Sequence, residues 1–183
     1  MITPIPEEVY ATFAGTIDDM AAQRVFNSMS IAINGGAKRV HILMQSHGGF
    51  IGSGIAIYNF LRNLPIEVIT YNGGQISSTA VIAFLGGKNR RTSENSTFMI
   101  HKGTFSLPSP IGIESMQSKV DALYLDNENT ESILRKHIIM PDEKWGIHNK
   151  SDLTLSSSSA LEYKLVHEIS CFKLPQRAQL YNI

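Results

Sequence analysis

The sequence predicts an α/β fold in which helices return the chain to parallel strands. Short β-rich runs alternate with longer runs of helical periodicity, the pattern of parallel strand–helix units. Glycine or proline punctuates these runs at Gly15, Gly35-Gly36 and Pro65. The length of 183 residues fits one domain, spanning 1–183, large enough to bury a core without disulfides.

Val9 to Ala14 is β-rich and is ended by Gly15. Thr16 is placed to cap the next segment, with Asp18 and Asp19 in its first turn, and that helix runs to about Asn34 before Gly35-Gly36 stops it. Arg39 to Met44 reads as a buried strand, and Ile51 to Leu64 as a helix stopped by Pro65. Ile66 to Tyr71 and Thr97 to Ile100 are further strands, separated by an apolar helical run from Thr79 to Leu85. Lys102 to Gly112, with two prolines and two serines, reads as a loop. Ile113 to Ile138 is a long helix, polar on one face and apolar at Met116, Val120, Leu123, Leu125, Ile133 and Leu134.

Composition removes several function classes. The formal net charge is zero, which argues against non-specific binding to nucleic acid or membranes. The longest apolar stretch, Ala80 to Leu85, is far too short to span a bilayer, and Met1 to Glu8 holds two prolines and two glutamates rather than a signal-peptide core. The single Cys171 has no partner for an intrachain disulfide, suits a reducing compartment, and reads as a small buried residue on a short C-terminal strand. A cytoplasmic location follows as the expectation. His167-Glu168 lacks a second histidine four residues on, so no metal motif is present and no cofactor is expected. Gly48, Gly49, Gly52 and Gly54 do not have the G-x-G-x-x-G spacing of a dinucleotide fingerprint. Lys88, Arg90 and Arg91 beside Gly86-Gly87 read as a solvated basic turn, because no aromatic residue interleaves them.

The chemistry concentrates in Gly74-Gln75-Ile76-Ser77-Ser78-Thr79-Ala80 and Phe98-Met99-Ile100-His101. The first block puts a serine hydroxyl between a strand and a helix start, where free amides and the helix dipole favour developing negative charge. The second ends a strand on a histidine able to take the hydroxyl's proton. These blocks resemble the ClpP family of serine peptidases, with its Gly-Gln-Ala-Ala-Ser-type turn and Met-Ile-His strand. Two more blocks fall in the same order. Ile42-Leu43-Met44-Gln45-Ser46-His47-Gly48-Gly49 resembles the family's Ile-Asn-Ser-Pro-Gly-Gly turn. Asp152-Leu153-Thr154-Leu155-Ser156 with Ala160-Leu161-Glu162-Tyr163-Lys164-Leu165-Val166 resembles the segment that carries its aspartate.

The resemblance implies a ClpP/crotonase-like spiral of ββα units with a protruding long helix, residues 103–140 forming a handle-like insertion. It implies Ser78 as nucleophile, His101 as base and Asp152 as orienter, with Ser77 and Asp142 as the competing candidates. The plainer roles are helix capping for the serines and a turn or N-cap for Asp152. Gly49 and Thr79 would supply oxyanion-hole amides, Gly49 having no Cβ to obstruct the substrate. Substrates would be peptides or unfolded proteins. The subunit would form a homo-oligomeric ring, of seven subunits by resemblance and able to stack, with an AAA+ unfoldase as a conceivable partner.

The chain departs from the family at several points. His47 replaces a proline, and is read as packing against the strand end. Lys102 stands where glutamine is usual, and Ser151 where an arginine pairs across rings. Gly103 to Pro110 replaces the docking strand, and only Met1 to Pro6 precedes Glu7. Three other readings stay open: a crotonase-type acyl-CoA enzyme, a catalytically silent ring scaffold, and a Ser-Lys peptidase using Lys102 or Lys88.

Overall fold

The computed structural model describes residues 6–104, 106, 110 and 112–183. Strand β1 (Glu8–Ala14) leads through helix α1 (Asp19–Asn34) to β2 (Arg39–Ser46), and α2 (Ile51–Arg62) leads on to β3 (Glu67–Ser77). Next come α3 (Thr79–Phe84), β4 (Asn89–Thr92), β5 (Thr97–Ile100) and the long α4 (Ile113–His137). The chain closes with α5 (Asp142–His148), β6 (Leu153–Ser156), α6 (Ser157–Glu162), β7 (Glu168–Ile169) and β8 (Leu180–Asn182). The main path of the sheet is β6-β5-β3-β2-β1-β8, and β4 pairs with β3 and β7 off that path. All named pairs are parallel except β5 with β6. This alternation of largely parallel strands with helices, and the long α4, is what the resemblance implies.

Apolar periodicity explains the helix packing. In α1, Ala21, Ala22, Val25, Met29 and Ala32 are buried, one stripe at helical spacing facing the sheet. In α3 all six residues are buried, as a helix apolar on every side requires. Its fully enclosed Phe84 packs on Phe98 of β5, with ring centroids 5.2 Å apart. Burying an aromatic of this size contributes about 1.5–3 kcal/mol.

The branch in the sheet positions the site. The first half of β3, Ile69 to Asn72, pairs with β4, and the second half, Gln75 to Ser77, pairs with β5. Between them β3 advances from Asn72 to Ile76 while β2 advances only from Met44 to Ser46. The extra residues include Gly73, where a Cβ would lie 2.7 Å from Leu43 Cδ1. The Asn72 side chain accepts from Gly74 N–H at 2.9 Å and donates to Thr97 O at 2.9 Å, so the bend is bonded on both sides. A bulge of this kind re-aims the strand end, here carrying Ser77 and Ser78 toward β5.

Several sequence expectations are corrected. The α1 cap is Asp18, not Thr16: its carboxylate accepts from Ala21 N–H at 2.7 Å, a shorter and charge-assisted option. The strand expected over Ile66 to Tyr71 continues to Ser77, because the glycine pair bends the ladder without ending it. The supposed basic turn is strand β4, in which Arg90 is only 4% exposed and its guanidinium donates to the carbonyls of Leu165, Gly87 and Lys164. Cys171 lies beyond β7 and is exposed, because that strand ends at Ile169. His47 is exposed rather than packed against the strand end. The loop reading of 102–112 and the missing docking strand fall partly on 105, 107–109 and 111, outside the described residues. So does most of the N-terminal segment, at 1–5.

Candidate active site

Ser78 sits between the end of β3 and the start of α3 with φ 56° and ψ −132°. A non-glycine residue held there carries strain of about 1–3 kcal/mol, which surrounding contacts must offset. Its N–H donates to Met99 O at 2.7 Å and its carbonyl accepts from Val81 N–H at 3.0 Å. The first bond ties the serine to β5, the strand that ends beside His101. The result is a half-buried serine on a sharp strand-to-helix turn, the geometry of a nucleophile elbow.

His101 Nε2 lies 2.7 Å from Ser78 Oγ. On the other side of the ring, His101 Nδ1 is 3.8 Å from Asp152 Oδ1, an ion-pair separation rather than a hydrogen bond. Asp152 immediately precedes β6, whose antiparallel pairing with β5 puts Leu153 opposite Ile100 and so brings residues 152 and 101 side by side. Among the described residues, Asp152 is the only carboxylate within 4 Å of His101. Asp142 instead opens α5 and is exposed. Ser77 is 1% exposed, and its hydroxyl accepts from Gln75 Nε2 at 3.1 Å. The alternation of a strand turns neighbouring serines to opposite sides, which separates 77 from 78.

The turn after β2 is built around two glycines. Gly48 O accepts from Ile17 N–H at 3.0 Å, and Phe50 N–H donates to Ile17 O at 2.8 Å. In a trans peptide the carbonyl and the following N–H point in opposite directions, so the Gly49 amide is aimed away from Ile17. Among the described residues it has no acceptor. Thr79 Oγ1 donates to Gly49 O at 3.1 Å, fixing the next peptide plane as well. The Thr79 amide begins α3 and has no carbonyl one turn behind it within the helix.

Here the geometry changes the reason for one glycine. A Cβ on Gly49 would overlap the Ile17 carbonyl oxygen, so the neighbouring chain requires glycine there rather than substrate access. Gly48 is the glycine that faces the hydroxyl: its Cβ would lie 2.7 Å from Ser78 Cβ and 3.1 Å from Ser78 Oγ. Sequence reasoning missed Gly48 because only the folded chain brings 48 and 78 together.

Both lysines considered as alternative bases are engaged elsewhere. Lys102 Nζ pairs with Glu131, and Lys88 Nζ donates to Leu64 O at 2.6 Å and Ile66 O at 3.0 Å. Beside Ser78 a small pocket is walled by Ile51, Ile82, Ile100, Thr130 and Leu134. His148 is buried nearby; burial foremost, and then Lys102, hold its pKa below the usual histidine value. Among the described residues no cluster of three or more His, Cys, Asp or Glu converges for a metal, and no helix is long and apolar enough to cross a membrane.

The sequence profile of the Clp protease family matches residues 5–171. The chain belongs to the Clp protease family. Membership makes it a serine peptidase of the hydrolase class. It is 22% identical over 158 residues to ATP-dependent Clp protease proteolytic subunit 2 of Pseudomonas aeruginosa, covering 85% of this chain and 77% of that one. It is 28% identical over 163 residues to the ATP-dependent Clp protease proteolytic subunit 1 of Borreliella burgdorferi, covering 85% and 81%. A solved point mutant of ClpP1 from Listeria monocytogenes superposes with a TM-score of 0.77 at 19% identity, over 90% of this chain and 91% of that one. That likeness establishes the shared Clp peptidase fold.

Proposed function

We propose that this Clp-family peptidase cuts peptide bonds through an acyl-enzyme on Ser78, with His101 as base and Asp152 as orienter. The observation that carries the reading is the 2.7 Å approach of His101 Nε2 to Ser78 Oγ, within the reach a general base needs. Ser78 Oγ attacks the scissile carbonyl carbon as its proton passes to Nε2. The tetrahedral oxyanion takes hydrogen bonds from the Gly49 and Thr79 amides, each typically contributing about 2.7–4 kcal/mol. Collapse breaks the C–N bond, and the imidazolium gives its proton to the leaving amine. Water then attacks the ester carbonyl as His101 takes its proton, the ester C–O bond breaks, and His101 returns the proton to Ser78 Oγ. Asp152 holds Nδ1–H toward itself, which keeps Nε2 free to accept.

The pocket walled by Ile51, Ile82, Ile100 and Leu134 suits an apolar side chain beside the scissile bond. The substrates are peptides or unfolded segments, which alone can thread an extended chain past Ser78. We further propose that the subunit assembles as a homo-oligomeric ring, of seven subunits by family likeness, and works with an ATP-dependent AAA+ unfoldase. Exposed Ile113, Tyr124, Leu125 and Ile139 on and after α4 support burial against neighbours. Labelling with a fluorophosphonate and then mapping the modified peptide tests the site directly. Modification of Ser78 alone is expected; labelling of Ser77, or of no serine, overturns the assignment.

A further inference from the structure

The chain leaves β5 at Ile100, so His101 stands just outside the ladder that fixes its strand. Two contacts with α4 hold the next two residues. Lys102 Nζ makes an ion pair with Glu131, and Gly103 N–H donates to Asn127 Oδ1 at 2.7 Å. Gly103 packs closely against both helices: a Cβ there would lie 2.7 Å from Ile51 Cδ1 and 3.0 Å from Leu123 Cδ1. The segment after the histidine is therefore seated between α2 and α4.

The α4 residues involved form one stripe. Leu123, Asn127, Thr130, Glu131 and Leu134 recur at spacings of three and four, the neighbours of a single helix face. Thr130 and Leu134 of that stripe also wall the pocket beside Ser78. Glu131 is itself oriented, because its second oxygen accepts from Arg135 Nε at 2.8 Å, and the Arg135 guanidinium lies 4.2 Å from the Trp145 ring centroid. The Lys102–Glu131 pair is mostly shielded, with 29% and 23% of the side chains exposed, so water and salt weaken it less than a surface pair.

We propose that Lys102 and Gly103 latch the His101 segment onto this stripe of α4, which makes Asn127 and Glu131 positioning residues for the His101–Ser78 contact. The inference rests on the reading of His101 as the base. A displacement of about 1 Å in such a contact is worth up to about a hundredfold in rate, and a site needs its groups held within about 0.5 Å. Lys102, which departs from the glutamine usual in the family, thereby gains a role: its ammonium reaches a carboxylate on the helix. Asn127 and Glu131 contact Gly103 and Lys102 rather than Ser78 or His101. Their effect passes through the imidazole.

The test uses full-length protein, a short fluorogenic peptide with an apolar residue before the scissile bond, and a fluorophosphonate probe. Glu131→Gln and Asn127→Leu keep shape but remove the ionic and hydrogen-bond ends of the latch. Each is expected to lower kcat and the Ser78 labelling rate by about ten- to a hundredfold, with KM within about threefold. Lys102→Arg keeps a cation opposite Glu131 and leaves the Glu131–Arg135 pair in place, and is expected to stay within about threefold of the wild-type rates. Should Glu131→Gln not fold, Lys102→Met removes the same pair from the loop side, and the same kcat loss is expected at unchanged melting temperature. Folded latch variants with wild-type kcat and labelling, alongside an inactive Ser78→Ala, overturn the latch and leave the Ser78–His101 reading standing. Full activity in Ser78→Ala overturns that reading itself.

Discussion

Gly48 and Ser78 lie so close that a Cβ at 48 would sit 2.7 Å from Ser78 Cβ and 2.9 Å from Ser77 O. Gly48 also has φ +98°, where L side chains are strained whatever the space. Gly48→Ala is therefore expected to destabilise the fold by about 1–3 kcal/mol from the backbone alone and to displace the Ser78 hydroxyl. Urea unfolding and peptidase assay on the same preparation check this; a variant with native stability and native rate refutes the close approach.

Removing the hydroxyl isolates the nucleophile. Ser78→Ala is expected to lose about 10⁴–10⁶ in kcat, whereas Ser77→Ala, which deletes a hydroxyl bonded to Gln75, keeps most activity. Steady-state kinetics on a fluorogenic peptide separate the two. The reverse ranking would move the assignment to Ser77.

Asp152→Asn is expected to lower kcat by up to about 10⁴ by favouring the wrong imidazole tautomer. Asp142→Asn, at the exposed start of α5, should leave kcat unchanged. A silent Asp152→Asn would mean the 3.8 Å separation is not closed during turnover.

Stability should fall on mild acidification. Burial foremost, with the positive charges of Arg90 and Arg62 behind it, pushes the His137 pKa down to about 4. His41, His148 and His167 are lowered too, burial again being the main cause. Between about pH 6.5 and 4 the unfolded chain binds more protons than the folded one, so stability rises with pH across that window and is lost as pH drops through it. The loss attributable to His137 is on the order of 1–3 kcal/mol. Denaturant midpoints from about pH 7.5 down to about pH 4.5 measure it, and His137→Gln should show a shallower dependence. Equal slopes for the two proteins would remove His137 as a source.

Assembly is checked by sedimentation at several concentrations. A ring-sized species is expected. A monodisperse monomer that still cuts peptides would refute the ring without touching the site.

Much of the architecture is legible in the chain because burial writes itself into local periodicity. The stripe from Ala21 to Ala32 and the apolar run of residues 80–84 announce one surface helix and one interior helix. The four motif blocks likewise put Ser78, His101 and Asp152 forward without any distance. Where local signals compete, the sequence misleads. Thr16 and Asp18 are both good caps, and only the completed turn favours the carboxylate. Lys88 to Arg91 looks like a solvated turn until β7 and the carbonyls around Leu165 supply a buried guanidinium with partners.

By itself the sequence determined the family, the alternation of strands and helices from β1 to α3, and the residue types available for acyl transfer, since these depend on short-range pattern and composition. Tertiary structure alone decided the distance between Ser78 and His101, why Gly49 must be glycine, and that α4 meets the segment after His101. Those relations join residues far apart in the chain, 23 positions in the case of Ser78 and His101, and a branched sheet brings them within a few ångströms. Contacts of that kind depend on how the bend at Gly73–Gly74 and the β5–β6 pairing aim the chain, and no local preference in the intervening residues encodes the resulting distances.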